Sequence, residues 1–332
     1  MTHSRESPAD GEEISRAIPL NDKISTASAS NHPALTVVVV PFGGRDRLAN
    51  CLGALPSRTR AGGAIEIIVP WPYGSESVID FAARFPNVRF IESPSMAGHA
   101  ALRALGCREA TGNIVALTEA QCIPDADWCY AILSEHARRL ASIGGVVEKY
   151  AGESAAEWAV YLADYSRYMS PIPEGPAASL SDVNVSYRRA ALLAVQATWV
   201  DEFHEHVVHS ALRHDGEPLW QSPALIVWHR RSVRLASLMR ERFQHARAYA
   251  GTRVTTVGFA TRLTLAAASA GLPVLLILRV ALRVARTRRH AVQFAIALPS
   301  LAALAVAWSC GEFAGYLSKK PGELAPLSET QA

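Results

Sequence analysis

Several side chains with oxygen or charge stand directly behind short apolar runs in this chain of 332 residues. Pro41 and Arg45 follow the run from Leu35 to Val40. Trp71 and Tyr73 follow the run from Ala64 to Val69. Glu119 and Gln121 follow the run from Asn113 to Leu117. A carboxylate can move a proton or bind a hard cation, an amide oxygen is a weaker ligand, and a guanidinium suits phosphate. Asp201, Glu202 and Glu205 cluster further along, and His229 closes another apolar run. The five cysteines form no C-x-x-C pair and their number is odd. That pattern argues against a zinc site or a disulfide framework and fits a reducing compartment.

The elements that must hold these groups can be read from periodicity. Leu35–Val40, Ala64–Val69, Val88–Ile91 and Asn113–Leu117 are short, largely β-branched runs, as buried parallel strands are. Helical spacing predicts helices over 45–55, 77–85, 100–110 and 127–142. This alternation implies βαβ units and a mostly parallel α/β sheet. In such sheets ligands sit beyond the carboxyl ends of the strands, which is where Arg45, Trp71 and Glu119 fall. Further strands are expected at 144–148, 182–187 and 223–228, a helix near 204–214, and a loop or flap at 171–176.

Charge divides the chain unevenly. Residues 1–229 hold 18 basic and 26 acidic side chains, whereas residues 230–290 hold thirteen arginines and the one acid Glu241. The basic part adjoins the most apolar part, which suggests an anionic lipid surface rather than nucleic acid, for which no module is visible. Residues 232–256 pattern as a basic amphipathic helix at a membrane interface. Two apolar stretches, Val257–Leu278 and Ala291–Leu317, approach bilayer length, with Arg262 placed to snorkel and Pro273 and Pro299 to kink them. The alternative is a pair of buried core helices. Positive charge prefers the cytoplasmic side. Arg279, Arg283, Arg286, Arg288 and Arg289 between the stretches therefore conflict with a plain two-pass hairpin below a cytosolic domain. Either the rule is broken or the hairpin is re-entrant. The polar, Ser-rich first 33 residues read as a disordered leader, and residues 318–332 as a tail.

Six segments, taken in order, resemble family 2 glycosyltransferases of the GT-A fold. They are Thr36–Pro41 with Arg45; Gly98–Gly106 with Ala110–Gly112; Ala116–Trp128; Gly144–Val147; Asn184–Arg189; and Pro223–His229. The tail Gly311–Tyr316 is similar to the end of membrane-anchored members. The resemblance implies a GT-A domain over residues 34–231 and a nucleotide-sugar donor, contacted by Pro41, Arg45, Trp71, Arg103, Glu119 and Gln121. It also implies a divalent cation, Mg²⁺ or Mn²⁺, held at a D-x-D motif, which neutralises the diphosphate during transfer.

This chain departs from the family pattern at three stations. Glu119-Ala-Gln121 stands at the D-x-D, so one charge is lost; His229 is a further candidate ligand, the alternative being a satisfied histidine at a strand end. Pro70-Trp-Pro-Tyr73 replaces an acidic loop that contacts the base, so Trp71 either stacks on a base or packs. His204-Glu205 stands at an acidic pair, making Glu205 the candidate general base and Asp201 and Glu202 its rivals; all three could equally be a solvated helix start. Arg103 either contacts phosphate or lies on an exposed helix face. The expected activity is inverting transfer to a lipid-linked or polysaccharide acceptor at the cytoplasmic membrane, with the catalytic domain facing the cytosol. The alternative is an inactive GT-A scaffold in a polysaccharide assembly complex.

Overall fold

The structure, a computed structural model, describes residues 32–72, 78–93, 97–150 and 154–318. The expected leader, apart from its last two residues, the tail beyond Ser318, and Tyr73 lie outside the described residues. Four strands form the parallel half of the sheet: β1 (Leu35–Val40), β2 (Ile65–Trp71), β3 (Val88–Glu92) and β4 (Ile114–Glu119), in the order β3-β2-β1-β4. Their crossovers are α1 (Arg45–Ala54), α2 (Ile79–Arg84) and α3 (His99–Glu109). Both faces are covered, which is why the strands are apolar throughout. Val37 and Val39 join a core with Leu48 and Leu52 of α1, while Val38 joins another with Ala104 and Cys107 of α3.

The second half of the sheet is mixed. It contains β5 (Cys122–Pro124), β6 (Ser142–Lys149), β7 (Gly175–Pro176), β8 (Val185–Arg188) and β9 (Leu219–His229). β8 runs antiparallel to both β4 and β6, β5 and β7 run antiparallel to β9, and β6 and β9 are parallel. Between them lie α4 (Trp128–His136), α5 (Ala155–Tyr165), α6 (Arg189–Ala194) and α7 (Glu205–His214). α5 starts at a full capping box, with Ser154 and Glu157 each bonding the other's backbone amide.

The C-terminal helices are α8 (Leu235–Arg253), α9 (Phe259–Ser269), α10 (Leu272–Thr287) and α11 (Ala291–Ser318). Among the described residues α11 is the one single helix long and apolar enough to cross a membrane; α9 and α10 pass the same test only as a pair bent by 51°. The first apolar stretch is thus broken at Ala270-Gly271, and Pro273 sits in the first turn of α10, where its missing N–H costs no helical bond, instead of kinking a helix. Arg279, Arg283 and Arg286 are helical, not part of a loop. Arg262 does not snorkel. It is buried and donates to the carbonyls of Tyr316 (2.7 Å) and Leu317, capping the end of α11.

α11 is docked on the rest of the protein. Leu301 and Leu304 enter the same core as Val160 of α5 and Leu238 of α8. Gly311 and Gly315 let α11 approach α8 closely, since a Cβ on either would stand 2.4 Å from a carbonyl oxygen, that of Phe243 or of Arg247. Val280 and Val284 of α10 belong to that core too. The turn between α10 and α11 uses left-handed Arg288 (φ 54) and His290 (φ 60), conformations that non-glycine residues adopt at a cost.

Candidate functional site

The carboxyl ends of β1 and β4 lie side by side, with Val40 in register with Glu119. Glu119 is 6% exposed. Its Oε1 accepts from Arg103 Nη2 at 2.6 Å, and His99 Nδ1 stands 3.3 Å away. Both partners come from α3, one turn apart on one face. Arg103 is itself buried, and Nη2 also donates to Asp182 Oδ2 at 2.8 Å. Its Nη1 lies 3.6 Å from Glu205 Oε2. One guanidinium therefore gathers three carboxylates drawn from β4, the segment before β8, and the start of α7.

Local structure explains how the distant carboxylates arrive. Asn184 is fully buried, donates to the carbonyls of Val146 (2.8 Å) and Leu225 (3.0 Å), and accepts from Trp128 Nε1 at 2.8 Å. This clamps the backbone two residues after Asp182. Phe203 is also fully buried and its amide donates to the Ala100 carbonyl at 2.8 Å, tying the start of α7 to α3. Glu205 is thus brought to Arg103. Its rivals are not: Glu202 bonds His204 at 2.9 Å, and Asp201 is exposed.

The cluster's electrostatics separate the carboxylates. Burial pushes the Asp182 carboxyl up; Arg103 opposes this, but Glu119 and Glu205 add to the rise, and the result is about 6. Burial also raises Glu119, but the His99 bond and the Arg103 charge outweigh it and hold the group down at about 2. At neutral pH Glu119 is a fixed anion, while Asp182 takes up and releases a proton near the working range.

His229 ends β9, 2% exposed, with its ring 4.6 Å from that of Tyr165. Burial, helped by Lys149 and Arg231, lowers its pKa to about 3, so the imidazole is neutral. Its Nδ1 is buried with no hydrogen-bond partner among the described residues. Gln121 lies over Gly43 of the loop after β1, where a Cβ would meet the Gln121 side chain at 2.8 Å; Gly43 is also held at φ 101. Arg47 of α1 reaches the same place, donating to the Arg230 carbonyl and to Ser232 Oγ at 2.6 Å. Arg47, Arg230, Arg231 and Lys149 act on one another or on His229 as neighbouring cations. This basic group beside His229 escaped sequence reading, because its members come from three separate elements.

The expected donor contacts are distributed unequally. Pro41 lies in the loop after β1, and Arg45 is the first residue of α1. Trp71 is 1% exposed, with Phe81 and Phe90 rings at 5.9 and 5.7 Å, so it packs and offers no face for a base. Arg103 is neither on an exposed helix face nor open to phosphate; it is the node of the carboxylate cluster. Asp182 was passed over because nothing local in Ser181-Asp-Val-Asn184 marks it.

Among the described residues no three His, Cys, Asp or Glu side chains gather as a metal site. Of the expected ligands, Glu119 has Oε1 engaged by Arg103, Gln121 lies over Gly43, and the Nδ1 of His229 has no partner among the described residues.

A cavity of about 490 Å³ adjoins the cluster. It is lined by Asp182 and Glu205, by Asp164 and Tyr165 of α5, and by residues of α10 and α11.

Comparison with known proteins adds the following. Residues 36–195 match the family model described as "Glycosyl transferase family 2". No curated protein matches the sequence. Among solved structures, the mannosyltransferase PcManGT from Pyrobaculum calidifontis, in complex with GDP-Man and Mn²⁺, is similar over 85% of this chain and 88% of that one, at 18% identity and a TM-score of 0.50. S. aureus TarS 1–349 in complex with UDP-GlcNAc is similar over 61% of this chain and 60% of that one, at 10% identity and a TM-score of 0.43.

Proposed function

From the match of residues 36–195 to the family 2 glycosyltransferase model, we propose that the chain moves a sugar from a nucleotide-sugar to an acceptor held against its C-terminal helices, with inversion. The observation that carries this reading is the single guanidinium of Arg103, which joins Glu119 at the strand ends to Asp182 and Glu205 on the cavity wall. Donor and acceptor sides thus meet at one buried node.

In the reading, the donor's diphosphate faces the loop after β1 and the basic group of Arg47, Arg230 and Arg231. An acceptor hydroxyl in the cavity attacks the anomeric carbon. The new C–O bond forms as the bond to the diphosphate breaks, the nucleoside diphosphate leaves, and the hydroxyl proton passes to a carboxylate. Glu205 and Asp182 both have the position. The raised affinity of Asp182 for a proton matches a base working near neutrality. A divalent cation, if Mn²⁺ serves here as it accompanies the Pyrobaculum enzyme, supplies charge stabilisation at the diphosphate, with Glu119 and His229 as its protein contacts.

We place the site at the cytoplasmic membrane surface, with the catalytic domain in the cytosol. The apolar helices and the basic α8 support that placement. A second reading, an inactive GT-A scaffold, draws on the same node: the D-x-D position carries one carboxylate, already bonded to Arg103. Calorimetry with a panel of nucleotide-sugars, with and without Mn²⁺, separates the two. Binding followed by turnover supports transfer; no binding to any donor leaves the scaffold.

A further inference from the structure

We propose that the turn between α10 and α11 is a clamp on the donor side of the site. Arg289 and His290 act as positioning residues for Lys149 and His229, so affinity for a diphosphate depends on the docking of the helical hairpin. This rests on the transfer reading above and adds to it two residues that touch no substrate.

Two contacts run from the turn to one place. Arg289 donates to Glu148 Oε1 at 2.5 Å and to the Ser170 carbonyl at 3.1 Å. Glu148 is 5% exposed, and Arg289 is its one ion-pair partner among the described residues. The next residue of β6 is Lys149, in register with His229 of β9. Tyr150 follows; its amide donates to the His229 carbonyl at 3.1 Å, and the Arg230 guanidinium lies 5.2 Å from its ring. By the second route, the His290 ring lies 4.9 Å from that of Trp158 on α5, and the Lys149 ammonium stands over the same indole at 5.9 Å. The turn thus reaches Lys149 both through its chain neighbour and through the ring it packs on.

A buried carboxylate that loses its guanidinium keeps an uncompensated charge, and the strand end carrying it must move toward water. Movement at Glu148 displaces Lys149, because the two share one backbone. Lys149 neighbours Arg47 and Arg230 as a cation, on the face assigned above to the diphosphate. The backbone of the turn fits a clamp as well. Arg288 (φ 54) and His290 (φ 60), both left-handed, flank Arg289. Non-glycine residues hold that conformation at a cost, which persists where surrounding contacts over-determine it. Here those contacts are the ones Arg289 and His290 make.

The test uses the full chain in a neutral maltoside detergent, titrated calorimetrically with inorganic pyrophosphate, UDP and GDP. Arg289→Ala is expected to weaken binding of these probes by about tenfold, within the usual range of coupling between sites. Arg289→Lys should recover part of the loss, and His290→Ala, which removes the second contact alone, should weaken binding by a smaller factor. Arg288→Gly suits the left-handed backbone, leaves both contacts in place and should bind as the parent does. Hydrogen exchange reads the positioning itself: amides of residues 146–150 and 226–230 should exchange faster in Arg289→Ala, while those of β1 and β2 keep parent rates. Parent-like binding in Arg289→Ala, or exchange that rises across the whole sheet, would overturn the proposal. The parent protein keeps the two readings apart. If it binds none of the three probes, the donor placement is removed, and exchange at 146–150 and 226–230 decides the clamp alone.

Discussion

Arg289, in the turn between α10 and α11, donates to Glu148 Oε1 at 2.5 Å near the end of β6. It also donates to the Ser170 carbonyl at 3.1 Å. The arginine-rich turn is therefore held against the catalytic domain, not displayed at the far end of a two-pass hairpin. In a membrane this docking would put the basic turn and the catalytic domain on one side, as the positive-inside tendency prefers. A single cysteine at Thr287 should thus be labelled by an impermeant thiol reagent from the same side of sealed vesicles as one at Asn50 on α1, in a background with Cys310 replaced. Labelling from opposite sides would refute the shared placement.

Arg103 is itself buried and holds the buried carboxylate of Glu119 with the half-buried ones of Asp182 and Glu205, so its removal leaves charge uncompensated. Arg103→Ala should destabilise the chain by about 3 kcal/mol or more, the range for breaking a buried pair from one side. Arg103→Lys should fold but lose most donor binding, since an ammonium cannot bridge Glu119, Asp182 and Glu205 in the planar geometry of a guanidinium. Denaturation midpoints and donor titration measure the two effects. A donor affinity unchanged in the lysine variant would show that the node is structural only.

Asp182 has its carboxyl raised from 3.8 to about 6 in the folded protein. The native state then binds more protons than the unfolded chain between these values, so this group's contribution to stability falls as pH rises through that window. Activity should move oppositely if Asp182 is the base, with kcat/KM rising along a limb near pH 6. Asp182→Asn should lower kcat and abolish that limb. If the limb survives in Asp182→Asn and disappears in Glu205→Gln, the proton goes to Glu205.

Trp71 packs among Phe81 and Phe90, and its substitution should read out as stability. Trp71→Ala is expected to cost about 3 kcal/mol or more, and Trp71→Phe less. Donor affinity of the Trp71→Phe protein should match the parent. A selective loss of donor binding with an unchanged denaturation midpoint would restore a role in base stacking.

Gly311 and Gly315 stand against the α8 backbone, and a methyl group at either meets a carbonyl oxygen at 2.4 Å. Gly315→Ala should destabilise the helical layer by about 1–3 kcal/mol through overpacking. Limited proteolysis between α8 and α9 should accelerate in that variant. Unaltered cleavage would mean that α11 can shift without loss.

How much of this was legible in advance follows from what each feature depends on. The strands β1, β2 and β4 and the position of Glu119 at a strand end were legible because unbroken β-branched runs ending at turn residues are local signals. So was the break in charge at residue 230. Glu205 could be singled out by resemblance, but its preference over Glu202 could not, because it depends on Phe203 being pinned to α3. The gathering of Asp182 onto Arg103 joins residues 79 apart in sequence, and the docking of Arg289 on Glu148 residues 141 apart. Burial at Trp71 likewise came only with the neighbouring strand and helix. The amino-acid sequence by itself determined the parallel half of the sheet, its crossover helices and the basic and apolar character of the C-terminal region. Only the tertiary structure decided which charges meet, which side chains are buried and where the last turn docks, because ion pairing and burial depend on the register of distant elements, which no local pattern encodes.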